Sequence, residues 1–159
     1  MKKPRGSIVV RRAHRTDVPQ WLSMRRALWP DCPLRDHRKE IAGILADARY
    51  QPVWVAEDAD GELAGFLEAS VRNYADGAGR ENVGYLEGCY VRPRLRKRGI
   101  GHELVKAAER WAAQRGFRHM GSDTWIGNKG SHCAHLAMGY REAGRDIHYV
   151  KRLKPGREP

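Results

Sequence analysis

Apolar and polar positions along the chain follow two spacings, one typical of strands and one typical of helices. Short apolar runs rich in valine, isoleucine and aromatic residues predict six strands, at residues 7–13, 53–57, 62–71, 85–91, 118–125 and 145–153. Helical spacing predicts four helices, one from Asp17 to about Trp29 and the others at 36–49, 101–115 and 131–138. An Asp-Ala-Asp-Gly turn at 58–61 joins the second and third strands as a hairpin.

The order of these elements is β-α-α-β-β-β-α-β-α-β, which predicts an α/β protein. A helix connects the strands at 85–91 and 118–125, so these two strands should be parallel. The hairpin should be antiparallel. The sequence therefore predicts a mixed sheet with helices on both of its faces.

A chain of 159 residues with 41% hydrophobic residues is long enough for one domain with a single core. We expect that domain to span residues 7–153, with a flexible basic N-terminus at 1–6 and a flexible tail at 154–159. No apolar run approaches the roughly 20 residues of a membrane span. The first residues have no apolar signal-peptide region either, which favours a cytoplasmic protein.

The formal net charge of +11 is concentrated in three short stretches. Residues 1–15 carry six basic side chains and no acidic one, residues 92–98 carry five, and residues 151–159 carry four against one acid. In contrast, residues 16–91 hold eight basic and thirteen acidic residues, a net charge of −5. A basic loop beside an acidic body suits a site that binds an anion and a cation together.

The basic loop continues into Gly-Ile-Gly and the most amphipathic predicted helix. Glycines let the backbone approach a ligand, and the first amides of a helix have no internal partner, so this arrangement favours an anion site. The spacing matches neither a Walker loop nor a dinucleotide-binding loop. Alone, it is also compatible with an ordinary turn that starts a helix.

The cysteines are three in number and scattered, so neither a disulfide framework nor a zinc ribbon is predicted. The group His132, Cys133 and His135 has weak metal-ligand spacing, and we expect no metal. Cys89 lies within a strand with no recognisable activating base, which favours packing over a role as nucleophile.

Arg96, Gly99 and Gly101 form an R-x-x-G-x-G pattern between the fourth strand and the third helix. This pattern resembles the pyrophosphate loop of the GNAT acetyltransferases, and Asn128, Gly139-Tyr140 and the order of elements also fit that superfamily. The resemblance implies acetyl-CoA as co-substrate and a parallel pair of strands splayed around it in a mostly antiparallel sheet. The residues implied to hold it are Cys89, Tyr90, Val91, Lys97, Arg98, Gly99, Ile100, Gly101, His102 and Asn128.

A closer resemblance is to the aminoglycoside 6'-N-acetyltransferases. It rests on RRALWPD (25–31), GFLEASVRNYADG (65–77), YLEGCYVRP (85–93), SDT (122–124) and HYVKRL (148–153). It implies that Trp29, Tyr74, Glu87 and Asp123 contact an aminoglycoside antibiotic and that the protein confers resistance. Cys32 and Gly144 stand where better-known members have polar substrate contacts.

The implied reaction is direct attack of an amine on the thioester. An aliphatic ammonium must first lose a proton, for which Glu87 is the first candidate base and Asp123 the second. Backbone amides near Cys89 and Tyr90 are candidates for an oxyanion hole. The leaving thiolate needs a proton, and His135 stands where many GNAT enzymes have a tyrosine for this purpose, although a surface histidine without a role remains the alternative.

Two other functions stay open at this point. One is a GNAT enzyme for a different amine, such as a polyamine, a protein N-terminus or a lysine. The other is a nucleic-acid-binding module that uses the basic stretches, although no aromatic residues for stacking are interleaved among the basic residues at 92–98. We expect no nucleic-acid or membrane partner, and a homodimer in which the last strand pairs across subunits.

Overall fold

The computed structural model describes residues 8–153, so the flexible ends predicted at 1–6 and 154–159 lie outside the described residues. Its strands are β1 (Val9–Arg12), β2 (Val53–Glu57), β3 (Leu63–Arg72), β4 (Val83–Val91) and β5 (Met120–Ser122). Its helices are α1 (Val18–Leu28), α2 (Leu34–Ala46), α3 (Ile100–Gln114) and α4 (Lys129–Ala137). Short 3-10 turns precede α1 at Arg15–Asp17 and α3 at Pro93–Leu95.

The five strands form one sheet in the order β1-β2-β3-β4-β5. The first four strands pair antiparallel, and β4 pairs with β5 in parallel. The helix α3 makes the crossover between that parallel pair, as its strand-helix-strand pattern predicted. The mixed, mostly antiparallel sheet is therefore confirmed.

Side chains alternate along β2 so that both faces of the sheet are buried. Val53 and Val55 pack with Trp21 and Met24 of α1 and with Ile41 of α2. In the opposite direction, Trp54 and Ala56 pack beneath α3 with a cluster that includes Leu86, Leu104, Val105 and Ala108. Helices on both faces were predicted, and this alternation explains why every residue from Val53 to Ala56 is buried.

The helix α3 begins and ends at glycines in the left-handed region. Gly99 (φ 79°) precedes its first residue, and Gly116 (φ 80°) follows its last turn. Such a conformation is unfavourable for residues with a Cβ, so glycine defines both boundaries. The predicted end of this helix at Gly116 is confirmed.

The predicted strand at 145–153 is wrong for the single chain, because residues 141–153 contain no helix or strand and are exposed. A strand needs a neighbour for its backbone groups, and β5 offers only three residues at the edge of the sheet. Within residues 8–153, no helix combines the length and the apolar character needed to cross a membrane.

Candidate active site

The two parallel strands part at a β-bulge in β4. Leu86 pairs with Ser122 of β5, and this pair is the last between the two strands. On the other side of β4, Gly88 is opposite Glu68 and Leu86 is opposite Ala69, so Glu87 is an extra residue without a partner. A bulge bends its strand and redirects the side chain. Beyond it, β4 continues to Val91 with the edge that faced β5 left open.

Glu87 at this bulge binds two side chains of β3. Its Oε1 accepts hydrogen bonds from the hydroxyl of Ser70 (2.5 Å) and from Nε of Arg72 (2.9 Å). Its Oε2 accepts another from Arg72 Nη2 (2.6 Å). The candidate base is therefore ionically paired, and the pattern of the sequence did not single out Arg72 or Ser70.

Asp123 follows β5 directly and is tied to β4. Its Oδ1 accepts a hydrogen bond from the hydroxyl of Tyr85 (2.8 Å). Burial and the carboxylate of Asp123 raise the pKa of Tyr85 well above its usual range, so the phenol stays protonated and donates. The guanidinium of Arg72 lies 3.5 Å from the centre of the Tyr85 ring. Glu87 and Asp123 thus belong to one network joined through Arg72 and Tyr85.

Trp29 and Glu87 line one cleft of about 560 Å³ together with Cys32 and three more carboxylates, those of Asp31, Glu40 and Glu68. Arg25 of the lining pairs with Glu40 and Glu68, and Arg72 from outside the lining pairs with Glu87, so four carboxylates face two arginines and the cleft keeps a negative charge. The indole of Trp29 lies over Gly88, where any side chain would meet it: a Cβ on Gly88 would come within 2.5 Å of the ring. Glycine at this position therefore lets the ring lie against β4 beside Glu87.

Beneath the cleft, Glu68 and Arg25 form a buried ion pair that the sequence did not reveal. Arg25 Nε lies 2.8 Å from Glu68 Oε1, and Trp21 Nε1 donates a hydrogen bond to the same oxygen (2.7 Å). Burial raises the pKa of Glu68 to about 7, although Arg25 and Trp21 act in the opposite direction. Arg25 also lies under the Trp29 ring, 4.9 Å from its centre, and binds Glu40 (2.7 Å). This pair supports the wall of the cleft.

The loop that precedes α3 presents its backbone to solvent. Lys97 has φ 60°, the one positive φ at a non-glycine position among the described residues, and Gly99 has φ 79°. Residues 96–99 are exposed, and no atom lies within 4 Å of the place where a Cβ of Gly99 would stand. The amides at the start of α3 lack internal partners. These features fit a pyrophosphate, which needs several amide donors and close access to the backbone.

His135 of α4 reaches the point where β4 and β5 part. Its Nε2 lies 2.8 Å from the hydroxyl of Ser122, the last residue of β5, and its Nδ1 lies 2.7 Å from the carbonyl oxygen of Ser131. If Nδ1 donates a proton to this carbonyl, Nε2 of the neutral ring is the acceptor for the Ser122 hydroxyl. Asn128 is the N-cap of α4, since its Oδ1 accepts a hydrogen bond from the Ser131 amide (3.0 Å).

Tyr74, a predicted substrate contact, and Gly144, which stands where relatives have a polar contact, lie apart from the cleft. Tyr74, on the loop after β3, is half exposed, and its hydroxyl donates to Asp76. Gly144 is an exposed residue of the C-terminal segment. Cys89 is an exposed residue on the open part of β4, and desolvation by the surrounding protein raises the pKa of its thiol. A thiol in this state is a poor nucleophile.

Comparison with known proteins gives the family. The model of the acetyltransferase (GNAT) family matches residues 10–140. An aminoglycoside N(6')-acetyltransferase type 1 of Klebsiella aerogenes is 46% identical over 142 residues, which are 88% of this chain and 93% of that protein. The chain therefore belongs to the GNAT acetyltransferase family.

Solved structures agree with this assignment. AAC(6')-Iy in complex with the bisubstrate analogue CoA-S-monomethyl-acetylneamine has a TM-score of 0.86 and 36% identity, and the match covers 93% of this chain and all of that one. The aminoglycoside N-acetyltransferase AAC(6')-Iy in complex with CoA also has a TM-score of 0.86, with 37% identity over 95% of this chain and 99% of that one.

Proposed function

We propose that this protein is an aminoglycoside 6'-N-acetyltransferase that transfers the acetyl group of acetyl-CoA to the 6'-amine of the antibiotic and thereby confers resistance. The observation that carries the proposal is the negative cleft beside the open edge of β4. A polycationic amine fits a cleft lined by four carboxylates and the flat ring of Trp29. The open edge runs from Glu87 to Val91 and leads to the loop before α3, where a thioester with a pyrophosphate would be held.

The co-substrate half of the site consists mainly of backbone groups. In our proposal, the amides from Lys97 to His102 hold the pyrophosphate, and β4 at Cys89, Tyr90 and Val91 holds the remainder of acetyl-CoA, assisted by Asn128. Acetyl-CoA supplies an acetyl group activated as a thioester. The free amides of β4 then polarise its carbonyl group as an oxyanion hole, because β5 no longer pairs with this part of the strand.

The acceptor half consists of side chains. Trp29 binds the aminoglycoside inside the cleft, and Asp123 and Tyr74 bind the part of the drug that extends beyond the cleft lining. Glu87 takes the proton that the 6'-ammonium must lose before attack. His135 protonates the departing thiolate. Its hydrogen bond to Ser122 holds the ring at the point where β4 and β5 part, beside the place proposed for the thioester. The amine attacks directly in a ternary complex, and Cys89 takes no covalent part.

The test follows thiol release from acetyl-CoA with purified protein. Kanamycin and tobramycin should be turned over, whereas an analogue with a 6'-hydroxyl in place of the amine, spermidine and a lysine peptide should not. Turnover of spermidine or peptide with none of the drugs would assign the enzyme to a different amine. Glu87→Gln and Asp123→Asn then separate the base from a binding anion, because loss of the base lowers kcat and loss of a binding anion raises KM.

We also propose a homodimer in which the C-terminal segment of one protomer adds a strand beside β5 of its partner. The segment is exposed, yet it carries apolar side chains that are 77–100% accessible: Ile147, Tyr149, Val150 and Leu153. Trp125, Ile126 and Leu136 near β5 and α4 are also half to three-quarters exposed, and α4 buries no residue. Apolar patches of this kind mark interaction surfaces, and β5 has a free edge to pair.

A second copy of the chain accounts for both features, since each protomer has one free segment and one free edge. Sedimentation or light scattering should give a mass near twice 18.1 kDa for the parent protein. Tyr149→Asp with Val150→Asp should shift the protein toward the monomer. A parent protein that stays monomeric at micromolar concentration would refute the dimer.

A further inference from the structure

Arg72 occupies the position that a cationic acceptor would be expected to take at Glu87. Its guanidinium binds both carboxylate oxygens of Glu87, at 2.9 and 2.6 Å. The same guanidinium lies over the Tyr85 ring, with Cζ of Arg72 3.5 Å from the ring centre. The Tyr85 hydroxyl in turn donates a hydrogen bond to Asp123. Hydrogen bonding to Glu87 and the nearby carboxylate of Asp123 raise the pKa of Arg72 above its already high value, so it is always charged.

This pair is not a part of the core. Arg72 is the last residue of β3, its side chain is 43% exposed, and that of Glu87 is 31% exposed. The buried pair of Arg25 and Glu68 is different, because both of its side chains are only 5% exposed. An ion pair open to solvent is weak and can exchange its partner for another cation.

We propose that Arg72 is an internal cation that occupies Glu87 until a polycationic acceptor displaces it, and that it thereby suppresses acetyl transfer to water and to singly charged amines. The proposal rests on the function proposed above and adds a determinant of specificity to it. A carboxylate that accepts hydrogen bonds on both oxygens is a poor base. A polycation competes with Arg72 because several of its ammonium groups meet the carboxylates of the cleft at once, whereas water offers no charge.

The side reaction that Arg72 suppresses is hydrolysis of the thioester. In that reaction the oxygen of water bonds to the acetyl carbon, the carbon–sulfur bond breaks, and Glu87 takes a proton from the water. The sulfur leaves as a thiolate and takes a proton from solvent, Glu87 returns its proton to solvent, and the acetic acid ionises, so the products are acetate, free CoA and one proton. Glu87 can take this proton only while its carboxylate is unpaired. Arg72 prevents the transfer by binding both oxygens of that carboxylate.

The experiment compares the parent protein with Arg72→Met and Arg72→Lys in two assays. In the first, thiol release is followed with acetyl-CoA and no acceptor, and Arg72→Met should release CoA about fivefold faster, the factor that a partly exposed bidentate pair supports. In the second, calorimetry measures tobramycin binding without acetyl-CoA, and the Kd of Arg72→Met should fall by about the same factor. Lysine cannot bind both oxygens through a planar fork, so Arg72→Lys should lie between the two.

Two further variants separate this role from a general change of charge. Arg35→Met removes an exposed arginine at the start of α2 that pairs with Asp36, and it should leave the acceptor-free rate unchanged. Adding Glu87→Gln to Arg72→Met should abolish the gain in hydrolysis. An unchanged acceptor-free rate in Arg72→Met, or a gain that persists without Glu87, would overturn the proposal.

The outcome is distinguishable from a failure of the proposed function. If the parent protein neither binds nor acetylates tobramycin, the aminoglycoside assignment is lost. The acceptor-free rates of Arg72→Met and of the double variant still decide the role of Arg72, because they depend on acetyl-CoA alone. If tobramycin binds more weakly to Arg72→Met than to the parent, Arg72 supports acceptor binding and the proposed competition is refuted.

Discussion

A methyl group at Gly88 should push the indole of Trp29 away from β4 and change the shape of the cleft that Trp29 lines. In Gly88→Ala, the new Cβ would lie 2.5 Å from Cη2 and Cζ2 of Trp29 and 3.3 Å from Cδ2 of Leu28. Carbon atoms in contact are ordinarily about 3.5–4.0 Å apart, so the indole must withdraw by about 1 Å or more. β4 cannot yield easily instead, because Gly88 is paired with the buried Glu68 of β3.

The displaced ring should weaken acceptor binding more than co-substrate binding. Losing part of an aromatic wall corresponds to about 1–2 kcal/mol, so KM for kanamycin should rise about tenfold. KM for acetyl-CoA should change less than about twofold, since the loop before α3 is unaffected. Overpacking should also reduce the free energy of unfolding by about 1–3 kcal/mol. Steady-state kinetics with each substrate varied in turn, and urea unfolding, measure these effects.

Gly43→Ala is the matched control. Gly43 lies within α2, and no atom comes within 4 Å of the place where its new methyl group would stand. Alanine should therefore stabilise the protein by about 0.5–1 kcal/mol and leave both KM values unchanged. If Gly88→Ala destabilises the protein as expected but leaves KM for kanamycin at the parent value, Trp29 is not a wall of the acceptor site.

Three further results are expected. His135→Ala should lower kcat about a hundredfold with little change in KM for the drug; an unchanged kcat in initial-rate measurements would show that the histidine has no catalytic part. Burial raises the pKa of Glu68 from 4.5 to about 7, so the parent's free energy of unfolding should fall as pH rises between those values. Glu68→Gln should lack this decline when melting temperatures at pH 5 and pH 8 are compared, and an equal decline would place its origin elsewhere. Cys89→Ala should retain turnover within about twofold, because the raised pKa of its thiol leaves little thiolate to act as a nucleophile; loss of activity with intact folding would contradict this.

Local patterns in the sequence were sufficient for most of the fold. The apolar stripe of α3 and the glycines around it predicted that helix within one residue at each end. The Asp-Ala-Asp-Gly turn predicted the hairpin of β2 and β3. Both signals depend on residues close together in the chain, where spacing alone determines which side chains share a face.

The features that the sequence did not predict depend on pairing between residues that are distant in the chain. The bulge at Glu87 follows from the register of β3 against β4, and neither strand shows it alone. The pairs of Glu68 with Arg25 and of Glu87 with Arg72 join residues 43 and 15 positions apart. The segment 145–153 has the pattern of a strand, but a strand forms only where a partner exists, and the single chain provides none.

Glu87 is the extra residue of β4, so its role in the cleft can be separated from the pairing of the strands. A bulge sets two residues opposite one and interrupts the alternation of a strand, which is why Leu86 and Val91 pack in the same cluster beneath α3 although they are five positions apart. Deleting residue 87 would restore regular alternation and leave Leu86, Gly88 and Cys89 opposite their present partners, so the deletion would remove the candidate base and keep the faces of the later residues. The candidate base is therefore a residue that the pairing of the sheet does not need, and its carboxylate serves the cleft alone.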